Sequence, residues 1–173
     1  MMKRKIWKEI RSDVVIVLVA LAIGLMLNKF VIANAQVPSS SMETTVMAGD
    51  RIFVNRLSYV FAEPKRGDIV TFIYPDDGET LYLKRVMGLP GETIQGKNGT
   101  IYIDGQPLEK DFTQEVSRDD FGPYTVPADC YFMMGDNRND SWDSRYWEHT
   151  FVEKADIIGR AVFSYFPHPR VLK

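Results

Sequence analysis

An unbroken apolar stretch, Val14 to Leu27, follows eleven residues that carry Lys3, Arg4, Lys5, Lys8 and Arg11 against one acid, Glu9. A membrane span takes about 20 predominantly apolar residues. The helix is therefore expected to continue through Asn28 and Lys29 into Phe30-Val31-Ile32-Ala33, giving an anchor over residues 14–33. Lys29 would snorkel to the outer interface, where a charge costs far less than at the bilayer centre. The basic leader, residues 1–13, stays on the cytoplasmic side, and the chain from residue 36 onward is exported. A rival reading takes the same segment as a removable leader, because Ala33-Asn34-Ala35 has the small-x-small form of a signal-peptide or self-cleavage site. A mature N-terminus at Gln36 would favour that rival.

Beyond Ala35 the pattern changes to short runs with strand character: Arg51 to Asn55, Ile69 to Tyr74, Leu81 to Met87, Thr100 to Asp104, Tyr131 to Met134 and Ile157 to Tyr165. Dense turn signals separate them, among them Arg66-Gly67-Asp68, Asp76-Asp77-Gly78 and Leu89-Pro90-Gly91. Asn98-Gly99 between two β-rich runs predicts a hairpin tip. The weakly periodic, charged stretch from Phe112 to Gly122 predicts a loop or mobile edge. The expected fold is mostly β: one transmembrane helix, then an exported antiparallel β-sheet domain over residues 36–173. A small β-ribbon appendage, a hairpin and loop insertion, is expected over about residues 92–128.

Composition narrows the chemistry. With 45% hydrophobic and 25% charged residues, 173 residues can bury one real core. The formal charge of -2 offers no attraction to nucleic acid. One cysteine, Cys130, rules out a disulfide within the chain, and its apolar surroundings do not suit a nucleophile. The two histidines, His149 and His168, lie in polar or proline-flanked contexts that read as surface, so neither a histidine-based triad nor a zinc site is supplied. No metal and no cofactor are expected.

A serine can still become a nucleophile if burial destabilises a nearby ammonium enough for lysine to act as base. Strand alternation puts Tyr82, Lys84 and Val86 on one face and Leu83 and Arg85 on the other, so Lys84 shares a face with apolar neighbours. A strand lysine is ordinarily an exposed edge residue, and Ser39-Ser40-Ser41 after Pro38 would ordinarily be a loop or cap. Their company changes the reading. Pro38-Ser39-Ser40-Ser41-Met42, Arg66-Gly67-Asp68-Ile69-Val70, the ten residues from Tyr82 to Gly91 and the eleven-residue run GDNRNDSWDSR from Gly135 to Arg145 occur together and in order.

On these segments the chain resembles the bacterial type I signal peptidases, membrane-bound Ser-Lys endopeptidases, over nearly its whole length. The resemblance implies Ser41 as nucleophile and Lys84 as general base. It implies Ser39 as an oxyanion donor beside the Ser41 N–H, Ser141 as the residue orienting the lysine, and Asp143 with Arg145 as a supporting charged pair. Gly135 to Arg138 would shape the turn presenting Ser141. Leu81, Tyr82 and Leu83 would line the path of a substrate adding as an extended strand. The implied partners are signal peptides of exported preproteins, cut after small-x-small (Ala-x-Ala) sites, and the lipid bilayer, which Met42, Phe61, Trp142 and Trp147 could touch. One position departs from the family pattern: Thr44 stands where proline is usual and cannot fix φ in the same way, which bears on rate rather than identity. Two alternatives remain. A tethered, non-catalytic β-rich binding module would have no use for Ser41 and Lys84 in these contexts. A self-cleaving repressor-type protein would need a DNA-binding domain where the apolar segment stands.

Overall fold

Burial alternates along Arg51–Asn55, with Ile52 and Val54 inward and Arg51 and Phe53 outward, and this period of two builds most of the molecule. The computed structural model describes residues 2–109, 111–113 and 115–173, and for residues 2–12 and 29 the backbone alone. Helix α1 (Met2–Phe30) leads into strand β1 (Ile32–Gln36). There follow β2 (Arg51–Asn55), β3 (Ile69–Ile73), β4 (Leu81–Gly88), β5 (Thr93–Lys97), β6 (Thr100–Ile103), β7 (Gln106–Pro107) and β8 (Phe121–Thr125). The chain closes with β9 (Cys130–Met134), β10 (Val152–Glu153), β11 (Ile157–Phe166) and β12 (Arg170–Val171). Most of the strands expected from the sequence form within a residue or so of their expected bounds.

Two antiparallel sheets result. The larger, eight-stranded sheet runs β1-β2-β11-β3-β4-β9-β10, with β12 added beside β11; the smaller has the order β7-β6-β5-β8. Asn98 and Gly99 both take positive φ and close the β5–β6 hairpin, with Lys97 opposite Thr100. The expected ribbon over residues 92–128 is thus a four-stranded sheet. Phe121 explains the difference: the charged stretch before it hides a buried aromatic that stacks on Phe132 and starts β8, so the predicted loop ends before Phe121. Lys110 and Gln114, within that insertion, lie outside the described residues.

The N-terminal boundary also differs from the expectation. Phe30 ends the helix, and Ile32 and Ala33 pair with Asn55 and Val54 instead of completing an anchor over residues 14–33. Ala33 and Ala35 point into the cluster of Val37, Met42, Val46, Ile52, Val54 and Ile69, and that apolar contact draws the segment into the sheet. Among the described residues no helix is long and apolar enough to cross a membrane. The side chains of the basic leader and of Lys29 lie outside the described residues.

A second cluster, with Val70, Phe72, Val86, Met133 and Trp147, fills the other face of the main sheet. A third, with Met87, Ile94, Ile101, Phe121 and Phe132, joins the two sheets. The β1–β2 connection, residues 37–50, is pinned by Met42 and Val46, both essentially fully buried. Each such side chain contributes about 1.5–3 kcal/mol by leaving water. Ser41 therefore sits on a loop with an apolar root.

Candidate active site

Strand β4 carries Lys84 between apolar neighbours, with Tyr82 and Val86 on the same face packed into the second cluster. Its side chain is 4% exposed, and the ammonium nitrogen lies 5.5 Å from the centroid of the Tyr82 ring. Burial is the largest influence on this amine and pulls its pKa down from the usual 10.5 to about 8. Asp143 opposes that fall, Arg145 adds to it and Asp136 opposes it. Lys84 Nζ donates to Ser41 Oγ at 2.6 Å across 43 residues of sequence. Ser39 Oγ is 3.3 Å from Ser41 Oγ on the solvent side. The Ser41 N–H has no hydrogen-bond partner among the described residues.

The loop carrying Ser41 is held by the turn that follows β9. Asn137 N–H donates to Ser41 O at 3.2 Å, and Asn137 Nδ2 donates to Ser40 O at 3.2 Å. Ser40 Oγ donates to Asp140 Oδ2 at 2.7 Å, and Thr45 Oγ1 to Asp136 Oδ2 at 2.5 Å. Gly135 makes this proximity possible. A Cβ on Gly135 would lie 2.2 Å from Ser141 Oγ and 2.4 Å from Ser41 O, closer than any side chain can be seated.

Behind the turn stand two buried ion pairs. Arg145 and Asp143 meet at 2.8 and 2.9 Å with side chains 1% and 0% exposed, and Asp143 Oδ2 also accepts the Gly135 N–H at 2.9 Å. Arg85 grips Asp136 with two bonds of 2.8 and 2.6 Å and reaches Gly67 O at 2.6 Å. From the sequence alone Arg85 has no role, and Asp136 only a share in shaping the turn. The available signal was a second cation beside Lys84 on a strand otherwise rich in apolar residues, since a buried arginine demands a carboxylate.

Ser141 departs from the expectation. It is buried beside Ser41 and Gly135, but among the described residues its hydroxyl has no hydrogen-bond partner, and the Lys84 amine donates to Ser41. Met42 and Trp147 are core residues at 1% and 5% exposure and cannot touch lipid, whereas Phe61 at 96% and Trp142 at 56% are open to it. Among the described residues no group of His, Cys, Asp or Glu could hold a metal ion.

A cleft of about 910 Å³ opens over these groups, bordered by Ala33–Gln36 of β1, by Leu81–Lys84 of β4, and by Ser141 and Trp142. Strand β4 pairs with β9 only from Arg85 onward, so among the described residues the edge of Leu81–Lys84 facing away from β3 has no strand partner. The Signal peptidase, peptidase S26 family model matches residues 10–166, a span that includes every element of this cleft. The chain belongs to that family.

The signal peptidase I of Leptolyngbya laminosa is 41% identical over 161 residues, covering 88% of this chain and 77% of that one. The signal peptidase I P of Bacillus subtilis subsp. natto is 36% identical over 165 residues, covering 90% and 88%. A crystal structure of a signal peptidase I from Enterococcus faecalis V583 is 36% identical with a TM-score of 0.49, covering 57% of this chain and 97% of that one. As an S26 peptidase, the chain is a serine peptidase of signal-peptide processing.

Proposed function

We propose that the chain is a membrane-anchored Ser-Lys endopeptidase that removes signal peptides from exported preproteins after small-x-small sites. The observation that carries this reading is the 2.6 Å contact between a buried amine of lowered pKa and the Ser41 hydroxyl. The neutral Lys84 amine takes the Ser41 proton as Oγ bonds to the scissile carbonyl carbon. The resulting oxyanion accepts hydrogen bonds from Ser39 Oγ–H and the Ser41 N–H. The Lys84 ammonium then gives its proton to the departing amine, and water, deprotonated by the Lys84 amine so regenerated, hydrolyses the acyl ester. The buried Ser141 hydroxyl, without a hydrogen-bond partner among the described residues, is available to accept from the ammonium once Ser41 has lost its proton.

The substrate lies extended between β1 and the free edge of Leu81–Leu83, with Tyr82 and the two leucines along its path. Half-buried Ala33, Ala35 and Leu83, and buried Ile52 and Val54, leave shallow apolar recesses suited to alanine. The anchor reading is supported by α1, where Val14 to Val19 are each more than half exposed over six consecutive positions. Six consecutive residues cover every side of a helix, and an apolar surface all round calls for lipid or a core. With the basic leader cytoplasmic, the catalytic domain lies on the outer face.

Cleavage of a preprotein in detergent micelles tests the mechanism through its pH dependence. At pH 7 only about a tenth of Lys84 is neutral if its pKa is about 8, so kcat should climb about fiftyfold from pH 6 to pH 8 and level off above. A profile flat across this range would remove Lys84 as the base. Ser39→Ala should lower kcat by about 10²–10³-fold with little change in KM, the usual cost of one oxyanion donor. An unchanged kcat would confine the oxyanion site to backbone donors.

A further inference from the structure

The loop that carries Ser41 is held from the front by Asn137, but its rear is held by a residue from the far end of the chain. Arg170, the first residue of β12, donates from Nε and Nη2 to Thr45 O at 3.2 and 3.0 Å. Its Nη2 also binds Asp50 Oδ2, and its Nη1 donates to His168 O at 3.0 Å. Asp50 is fully buried; the same Oδ2 accepts the Met47 N–H at 2.9 Å, and its backbone carbonyl accepts the Val37 N–H at 2.9 Å. One guanidinium thus ties the turn after the nucleophile to the base of the loop. Two residues on, Leu172 enters the same apolar cluster as Met42 and Val46.

We propose that Arg170 is a positioning residue for the nucleophile, fixing the turn behind Ser41 so that its hydroxyl stays within reach of Lys84. The inference rests on the proposed role of Ser41. Thr45 is four residues from Ser41, and the intervening Glu43 and Thr44 form a turn closed by Thr45 N–H to Met42 O at 2.9 Å and Glu43 N–H to Ser40 O at 2.9 Å. Thr44 does not restrict its own φ as a proline would, so the stiffness of this turn has to come from outside it. Among the described residues the Thr45 carbonyl has no other partner than Arg170. Without the guanidinium the turn can relax, and a displacement of about 1 Å at a reacting atom can cost about 10²-fold in rate.

Arg170→Ala alone would strand the buried Asp50 charge, so the decisive variant is Asp50→Asn combined with Arg170→Ala, which removes both the charge and the clamp. Cleavage of a preprotein by the full chain in detergent is measured per folded molecule, with the folded fraction taken from near-ultraviolet circular dichroism. The expected result is a kcat lowered by about tenfold to a hundredfold with KM held within about twofold. Arg170→Lys, which keeps the charge but not the planar fork that reaches Thr45 O and Asp50 together, should fall between this variant and the wild type. A kcat within about twofold of the wild type in the double variant, or a loss confined to KM, overturns the proposal. Ser41→Ala is run in parallel. Activity surviving there removes the nucleophile assignment itself, whereas an inactive Ser41→Ala beside a fully active double variant rejects the clamp alone.

Discussion

Replacing Lys84 with methionine is expected to lower kcat by about 10⁴-fold or more while raising the unfolding free energy at pH 7 by about 3 kcal/mol. The two effects have one cause. Burial holds the amine at about 8 instead of 10.5, so the unfolded chain binds the proton more tightly than the folded one. At about 1.4 kcal/mol per tenfold difference in proton affinity, the folded state carries a penalty of about 3 kcal/mol at any pH below 8. The penalty falls away as pH rises from 8 to 10.5, because there the unfolded chain alone still takes up the proton. Urea titrations in detergent should therefore show Lys84→Met well above the wild type at pH 7 and within about 1 kcal/mol of it at pH 10. Ser41→Ala should match the loss of activity without the gain in stability, since the hydroxyl carries no charge. A Lys84→Met variant no more stable than the wild type at pH 7 would mean that the amine is not kept from its proton by burial.

The sequence exposed this dyad only in part. Period-two alternation placed Lys84 on the face of Tyr82 and Val86, and the structure keeps it there because those neighbours are packed. Alternation alone could not say which of two adjacent cations, Lys84 or Arg85, would be left without a carboxylate. That difference is tertiary: Arg85 meets Asp136 across 51 residues of sequence, whereas Lys84 meets a neutral hydroxyl across 43. The strand β1 was hidden for a related reason. Ile32 and Ala33 prolong the short apolar run Phe30-Val31 that follows Asn28 and Lys29 and so read as the end of the helix, and only pairing with Arg51–Asn55 turns Ile32–Gln36 into an edge of the cleft. Arg170 carries no local signal at all, since its value comes from a carbonyl 125 residues away.

The Asp143→Asn variant is expected to lose about 3–5 kcal/mol of stability, because it leaves the Arg145 guanidinium buried without its counter-charge. The side chains concerned are 1% and 0% exposed, so water cannot take the place of the lost carboxylate. Its second effect falls on the rate. Asp143 is the strongest influence opposing the fall in the Lys84 pKa, while Arg145 favours it, so removing the aspartate charge leaves the arginine opposed only by the weaker influence of Asp136. The Lys84 pKa should then drop below 8, and the rising limb of kcat against pH should move to more acid values. Measured per folded molecule, the variant should lose less of its rate between pH 9 and pH 6 than the wild type does, although it melts earlier at every pH in that range. A limb that stays at the wild-type position while stability falls would show that the group governing the rate does not feel Asp143. The buried pair thus serves opposite ends: its aspartate holds the fold together and returns part of the basicity that burial takes from Lys84.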